Sequence, residues 1–173
     1  MDKIITERLV LEPFSEKHLT ERYVSWLNDP DVVRYSEQRH RKHSLETCRI
    51  YYESMKAVKN WFWAVIETKQ NAGHIGNVTA YFDRNNQVVD IAIMIGEKAL
   101  QGKGYGLEAW NGVLEFLKKQ KDARKITAGT MAVNQPMLKI MEKSGMKDDG
   151  RKVGQFLYDD QAVDMISKAL FIK

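Results

Sequence analysis

The chain has one cysteine, three prolines and no apolar run long enough to cross a bilayer. The lone Cys48 excludes an intramolecular disulfide and fits a reducing compartment. The longest apolar stretch, VVDIAIMIG, is broken by Asp90, and the opening MDKIITERLVL has no apolar signal core. A cytoplasmic protein with no membrane partner is therefore expected. Repeats, low-complexity tracts and Pro/Gly/Ser-rich linkers are also missing, so residues 1–173 read as a single domain, long enough to bury a core. Acidic residues fall only slightly short of basic ones, 23 against 27, which leaves a net charge of +4 and a pI near 9.0. Such mild charge suits an anionic small ligand as well as nucleic acid. Outside RHRKH (39–43) the basic residues are dispersed and not interleaved with aromatics, so no nucleic-acid partner is expected. His40 and His43 have no nearby cysteine or carboxylate to complete a ligand set, so no metal is expected either.

Periodicity supplies the elements. RLVLEPF alternates as a strand, and Ser15 is a cap for a helix through Leu19, Tyr23, Trp26 and Leu27 that NDPD (28–31) breaks. Ser44 caps a second helix from Leu45 to about Val58. WFWAVIET, HIGNVTAYF and VVDIAIMIG, joined by short turns, read as an antiparallel meander. Leu107, Trp110, Leu114 and Leu117 line one face of a helix, KITAGTM is a strand, and QPMLKIMEKSG is a short helix with Pro136 at its start and Gly145 as its stop. QFLYDD and AVDMISKALFI close the chain as strands. The expected order is β-αα-βββ-α-β-α-ββ: an α/β (α+β) domain with a mostly antiparallel seven-stranded sheet, about four helices and one strand-helix-strand crossover. Trp61, Trp63 and Trp110 fall at packing positions, and Cys48 reads as inert.

The crossover helix starts at LQGKGYG (100–106), where Gly102, Gly104 and Gly106 alternate. A glycine loop between a strand end and a helix start presents unpaired N–H groups and the positive end of the helix dipole, a cradle for an anion such as phosphate. A P-loop is excluded by the absent Gly-Lys-Ser/Thr. A dinucleotide site is excluded by Leu107 in place of its third glycine and by the lack of an acid in KITAGTM. A tight turn with no ligand stays open.

These residues resemble the GNAT superfamily of N-acetyltransferases. QGKGYG matches its Gln/Arg-x-x-Gly-x-Gly/Ala motif at Gln101, Gly104 and Gly106. VDIAIMIG looks like its fourth strand, and NQPMLKIMEKSGM looks like its Asn segment, with Asn134, Lys143, Gly145 and Met146 in place of the usual Phe. TERLVLEPFSEKHL and WLNDPDVVRY look like the subgroup that acetylates ribosomal-protein N-termini, antibiotics or amino sugars. The resemblance covers nearly the whole chain. It implies acetyl-CoA as donor, with the pyrophosphate on backbone amides of Gly102, Lys103, Gly104, Tyr105 and Gly106. It also implies a fourth strand splayed from its neighbour, with N–H groups near Ile93, Met94 and Ile95 facing the reacting carbonyl. A homodimer is compatible with it.

Amine acetylation needs a neutral amine and hence a base. Asp90, eleven residues before Gln101, stands where several family members carry a glutamate base, and it would act through a water. Asn134 is read both as a helix N-cap and as a catalytic and cofactor contact. The family's tyrosine acid and its usual serine are absent, replaced by Met141 and Met137. Tyr105 and Tyr158 are weak substitutes for the acid. Arg39 and Arg41, in the loop that borders the acceptor pocket in the resembled fold, suit an anionic acceptor such as an amino-sugar nucleotide. A peptide N-terminus and a non-catalytic CoA-binding module are the alternatives.

Overall fold

Side-chain alternation in the central strand fixes the layering. In Trp61–Glu67, Trp63 and Val65 face one core while Phe62 and Ala64 face another, so the sheet is covered on both sides. The computed structural model describes residues 2–172. In chain order the elements are β1 (Ile4–Ile5), β2 (Leu9–Pro13), α1 (Glu21–Asn28), α2 (Pro30–Val33), α3 (Leu45–Ala57), β3 (Trp61–Glu67), β4 (Gly73–Asp83) and β5 (Val88–Ile95). After them come α4 (Tyr105–Lys118), β6 (Lys125–Met131), α5 (Gln135–Lys143), β7 (Lys147–Tyr158) and β8 (Gln161–Phe171). None of the described helices is long and apolar enough to cross a membrane.

The strands form one sheet in the order β1-β2-β3-β4-β5-β6-β8-β7. Only β5 and β6 run parallel, and the helix joining them is α4, as the crossover requires. The larger core lies beneath α4, where Trp110, Val113, Leu114 and Leu117 pack on Leu9, Leu11, Trp63 and Val78. The second core, with Phe14, Tyr23, Trp26, Leu27, Cys48 and Phe62, lies beneath α1 and α3. Trp63 and Trp110 are fully buried, and Trp61 stacks on Trp63.

Several boundaries differ from the expected ones. Eight strands stand where seven are expected, because the two residues of β1 pair with Val10 and Leu11. Ser15 opens a 3-10 turn, Glu16–His18, and leaves Leu19 outside any helix; Thr20 caps α1 instead, accepting the Tyr23 N–H at 3.2 Å. NDPD does more than end a helix. Asp29 accepts the Asp31 N–H and Pro30 takes the first helical position, so the break itself starts α2. The edge strand β7 runs twelve residues, well beyond QFLYDD.

Gly96 is where α1 meets the end of β5. Its N–H donates to Ile75 O at 2.9 Å, and a Cβ there would stand 2.1 Å from the Trp26 ring. Gly96→Ala is expected to lower the unfolding free energy by about 1–3 kcal/mol through overpacking. Urea denaturation reads this, and wild-type stability in the variant would mean that α1 tolerates displacement of Trp26.

Candidate active site

The parallel pair that holds the crossover is short. β5 and β6 pair only at Val88–Lys125, Val89–Ile126 and Asp90–Thr127, while β5 stays paired with β4 as far as Ile95 and β6 with β8 as far as Met131. Past Asp90 the two strands part. Strand alternation decides what faces the gap. The Gly96 N–H points to β4, so the even-numbered residues of β5 turn their N–H groups that way and Ile93 and Ile95 turn theirs into the gap. Gln101, predicted as a cofactor contact, donates through Nε2 to Ile95 O at 2.7 Å. Its amide thus holds the loop against the strand end.

The glycine loop continues from there. Gly102 and Gly104 take positive φ of 74° and 86°, conformations that other residues adopt only with strain. Gly106 sits in a tight space: a Cβ there would lie 3.2 Å from Ile140 Cδ1, in the wedge between α4 and α5. Among the described residues, the N–H groups from Gly102 to Leu107 donate to no protein acceptor. They converge at the start of α4, where its dipole is positive, and this is the chemistry that a pyrophosphate requires.

A clamp invisible in the sequence fixes the loop from behind. Glu108, in the first turn of α4, accepts from Thr6 Oγ1 at 2.6 Å, from Arg8 N at 2.7 Å and from Arg8 Nε at 2.6 Å. Burial opposes its ionisation, but these bonds prevail and hold its carboxyl below the usual range. Arg8 also donates to Lys103 O at 3.1 Å and lies over the Tyr105 ring. Tyr105 is consequently core, with its side chain beneath Arg8, and the Lys103 backbone carbonyl is held by the same guanidinium.

A cavity of about 1100 Å³ opens from the loop across the face under α1 and α3. Gly102, Gly104 and Gly106 line it together with Ile93, Met94, Ile95 and Asn134. Asn134 both caps and lines: Oδ1 accepts the Met137 N–H at 3.3 Å, and Nδ2 donates to Thr130 Oγ1 at 2.9 Å. Arg41 lines the same cavity; Arg39 does not. The Arg39 guanidinium donates to Ser36 O, Glu37 Oε1 and Leu157 O, tying the loop to the β7–β8 hairpin, so its side chain is already committed. Tyr158 packs on Tyr35 outside the cavity, with its phenol held above the ordinary value chiefly by burial, which makes it a poor acid. The Cys48 thiol is raised by burial as well.

Asp90 lies one step away from the cavity. Its side chain accepts from Thr127 Oγ1 at 2.8 Å where the strands begin to part, and it borders a separate hollow of about 560 Å³. Desolvation raises its carboxyl above the ordinary range, against the lowering effect of the Thr127 hydroxyl. Tyr81 lines both hollows, and its hydroxyl bonds that of Tyr51 in the cavity wall. Sequence reading passed over this tyrosine pair, since both fall at ordinary positions of their elements.

Residues 8–147 match the acetyltransferase (GNAT) domain family. The chain belongs to this family. It is an acetyl-CoA-dependent acetyltransferase. The chain is 24% identical over 149 residues to an N-acetyltransferase 9-like protein of Caenorhabditis briggsae, spanning 82% of this chain and 75% of that one. The fold matches that of RimL, a ribosomal L7/L12 alpha-N-protein acetyltransferase solved with coenzyme A, with a TM-score of 0.85 at 13% identity over 98% of each chain. It also matches that of spermidine N-acetyltransferase from Vibrio cholerae, solved with CoA and spermine, with a TM-score of 0.82 at 18% identity over 95% of each chain.

Gly106→Val would fill the wedge between α4, α5 and the loop. It is expected to weaken CoA binding by at least about tenfold, roughly 1.4 kcal/mol. Isothermal titration measures this, and wild-type affinity in a folded variant would move the pyrophosphate elsewhere.

Proposed function

We propose that this acetyltransferase acts on the primary amine of a small anionic acceptor, such as an amino-sugar nucleotide. The supporting observation is the charge left uncommitted on the cavity wall. Arg34, Arg41 and Lys42 line it from the end of α2 onward. The carboxylates on that wall are engaged, Asp31 with Lys98 and Glu37 with Arg39. Arg41 makes no side-chain hydrogen bond or ion pair with another described residue. A planar guanidinium beside an open cavity favours phosphate or carboxylate. A polyamine would carry like charge toward it, which disfavours binding.

The reaction moves the amine lone pair onto the acetyl carbonyl carbon as the carbon–sulfur bond breaks, so a proton must leave the nitrogen. Asp90 serves as base in this reading. It acts through water past Tyr81, which reaches both hollows. The N–H groups of Ile93 and Ile95 face the gap where the carbonyl charge grows. With methionines at 137 and 141, no hydroxyl on α5 supplies the departing thiolate.

Two experiments test this reading. Arg41→Ala should raise KM for an amino-sugar nucleotide by about tenfold, equivalent to roughly 1.4 kcal/mol, and leave KM for acetyl-CoA unchanged. The wild-type KM for the nucleotide should rise with salt as the contact is screened. An unchanged acceptor KM, or a peptide N-terminus used in preference, would overturn the anionic reading. Asp90→Asn should abolish the limb of the pH–rate profile that rises through the Asp90 pKa. Because that pKa is raised on folding, ionisation of Asp90 costs stability as pH rises through it. The variant should therefore melt no lower than wild type at pH 7, which separates lost chemistry from lost fold. Unaltered turnover would remove Asp90 as base.

A further inference from the structure

Among the described residues, two buried polar atoms in the cavity wall have no hydrogen-bond partner, His43 Nε2 and Asn77 Nδ2, and the second lies on the sheet. Asn77, on β4, is 5% exposed and lines the cavity. Its Oδ1 lies 2.9 Å from His74 Nε2, which is also 3.0 Å from Gly76 O. A backbone carbonyl cannot donate, so Nε2 carries the hydrogen and shares it between two oxygens. This fixes the orientation of the Asn77 amide, with oxygen toward His74 and Nδ2 turned away. Nδ2 is buried and makes no hydrogen bond. His74 itself is locked among the rings of His18, Trp26, Phe14 and Tyr23. Burial lowers its pKa to about 4, so the ring is neutral at pH 7 and the arrangement persists.

An unpaired buried amide donor costs about 1–3 kcal/mol and is kept where something else satisfies it. The donor thioester is out of reach. Asn77 pairs with Met94 of β5, and the gap lies on the far side of β5, another strand spacing of about 4.8 Å away. The face carrying Asn77 also carries Thr79, Tyr81 and Met94, the cavity floor beneath α1 and α3. That is where an acceptor lies.

We propose that Asn77 is a specificity-determining residue whose Nδ2 donates to an oxygen of the acceptor close to its reacting amine. The inference rests on the acceptor reading above and narrows it to amines bearing a hydroxyl, carbonyl or carboxylate nearby. The amine's own lone pair cannot take this bond, because it must be free to attack. The remaining nitrogens of a polyamine are protonated and offer only donors, so they leave Nδ2 unpaired. A site built to bond an oxygen rejects the analogue that lacks it.

The test compares kcat/KM for an amino-sugar nucleotide, glucosamine and an alanyl tripeptide, which bear such oxygens, with cyclohexylamine and spermidine, which do not. Wild type should favour the oxygen-bearing set by at least about tenfold. That ratio should collapse toward one in both Asn77→Ala and Asn77→Leu, the latter of nearly native size in case the former fails to fold. A wild-type preference for cyclohexylamine or spermidine, or a ratio that survives in a folded variant, would overturn the proposal. Preference for glucosamine or the tripeptide over the nucleotide, with the ratio still lost on substitution, refutes the anionic reading and sustains this one. Use of the nucleotide with a ratio indifferent to position 77 does the reverse. No turnover on any of the five overturns both.

Discussion

The parting of β5 from β6 is the constraint on which the site depends. Three residue pairs join the two strands, while each remains fully paired on its other side. The gap is thus held open by the sheet itself. Backbone donors inside a fold are normally paired, and here the N–H groups of Ile93 and Ile95 face an opening and those from Gly102 to Leu107 meet no protein acceptor. A ligand carrying a carbonyl and a pyrophosphate, as acetyl-CoA does, offers acceptors of the kind these groups lack.

Around that gap the two faces of the sheet are built differently. Beneath α4 the packing is tight and apolar, with Trp63, Trp110, Val113 and Leu117 fully buried. The Glu108–Arg8 clamp binds the first turn of α4 to the turn before β2, so the glycine loop rests on a rigid base. Beneath α1 and α3 the packing is aromatic and interrupted by a cavity. Its floor carries Asn77, Thr79 and Tyr81, and its wall carries Arg34 and Arg41. In the reading proposed above, donor binding falls to backbone atoms of the loop and gap, and acceptor choice to side chains under α1 and α3.

The glycine loop was legible in the sequence because its backbone conformation leaves a local mark. Alternating glycines mark a loop between a strand and a helix, and the strands and crossover could be read from periods of two and of 3.6. The cavity wall was less legible. Arg39 and Arg41 are two residues apart and look equivalent, yet the first is spent on Leu157 O, 118 positions away, while the second borders the cavity. NDPD reads as a break because proline ends helices, but with Asp29 before it the same proline begins one. The Asn77 orphan depends on where His74 and Gly76 O fall, and only the fold sets that.

The sequence alone thus determined most of the element order, short of β1 and α2, together with the crossover and a glycine loop at its helix start, since hydrophobic period and glycine spacing act over a few residues. Tertiary structure decided which polar groups are spent and which remain available. Arg8 reaches Glu108 across 100 residues, and Asp90 falls beside the cavity instead of in its wall. Those outcomes depend on long-range register, where a shift of a single residue in a strand exchanges its two faces.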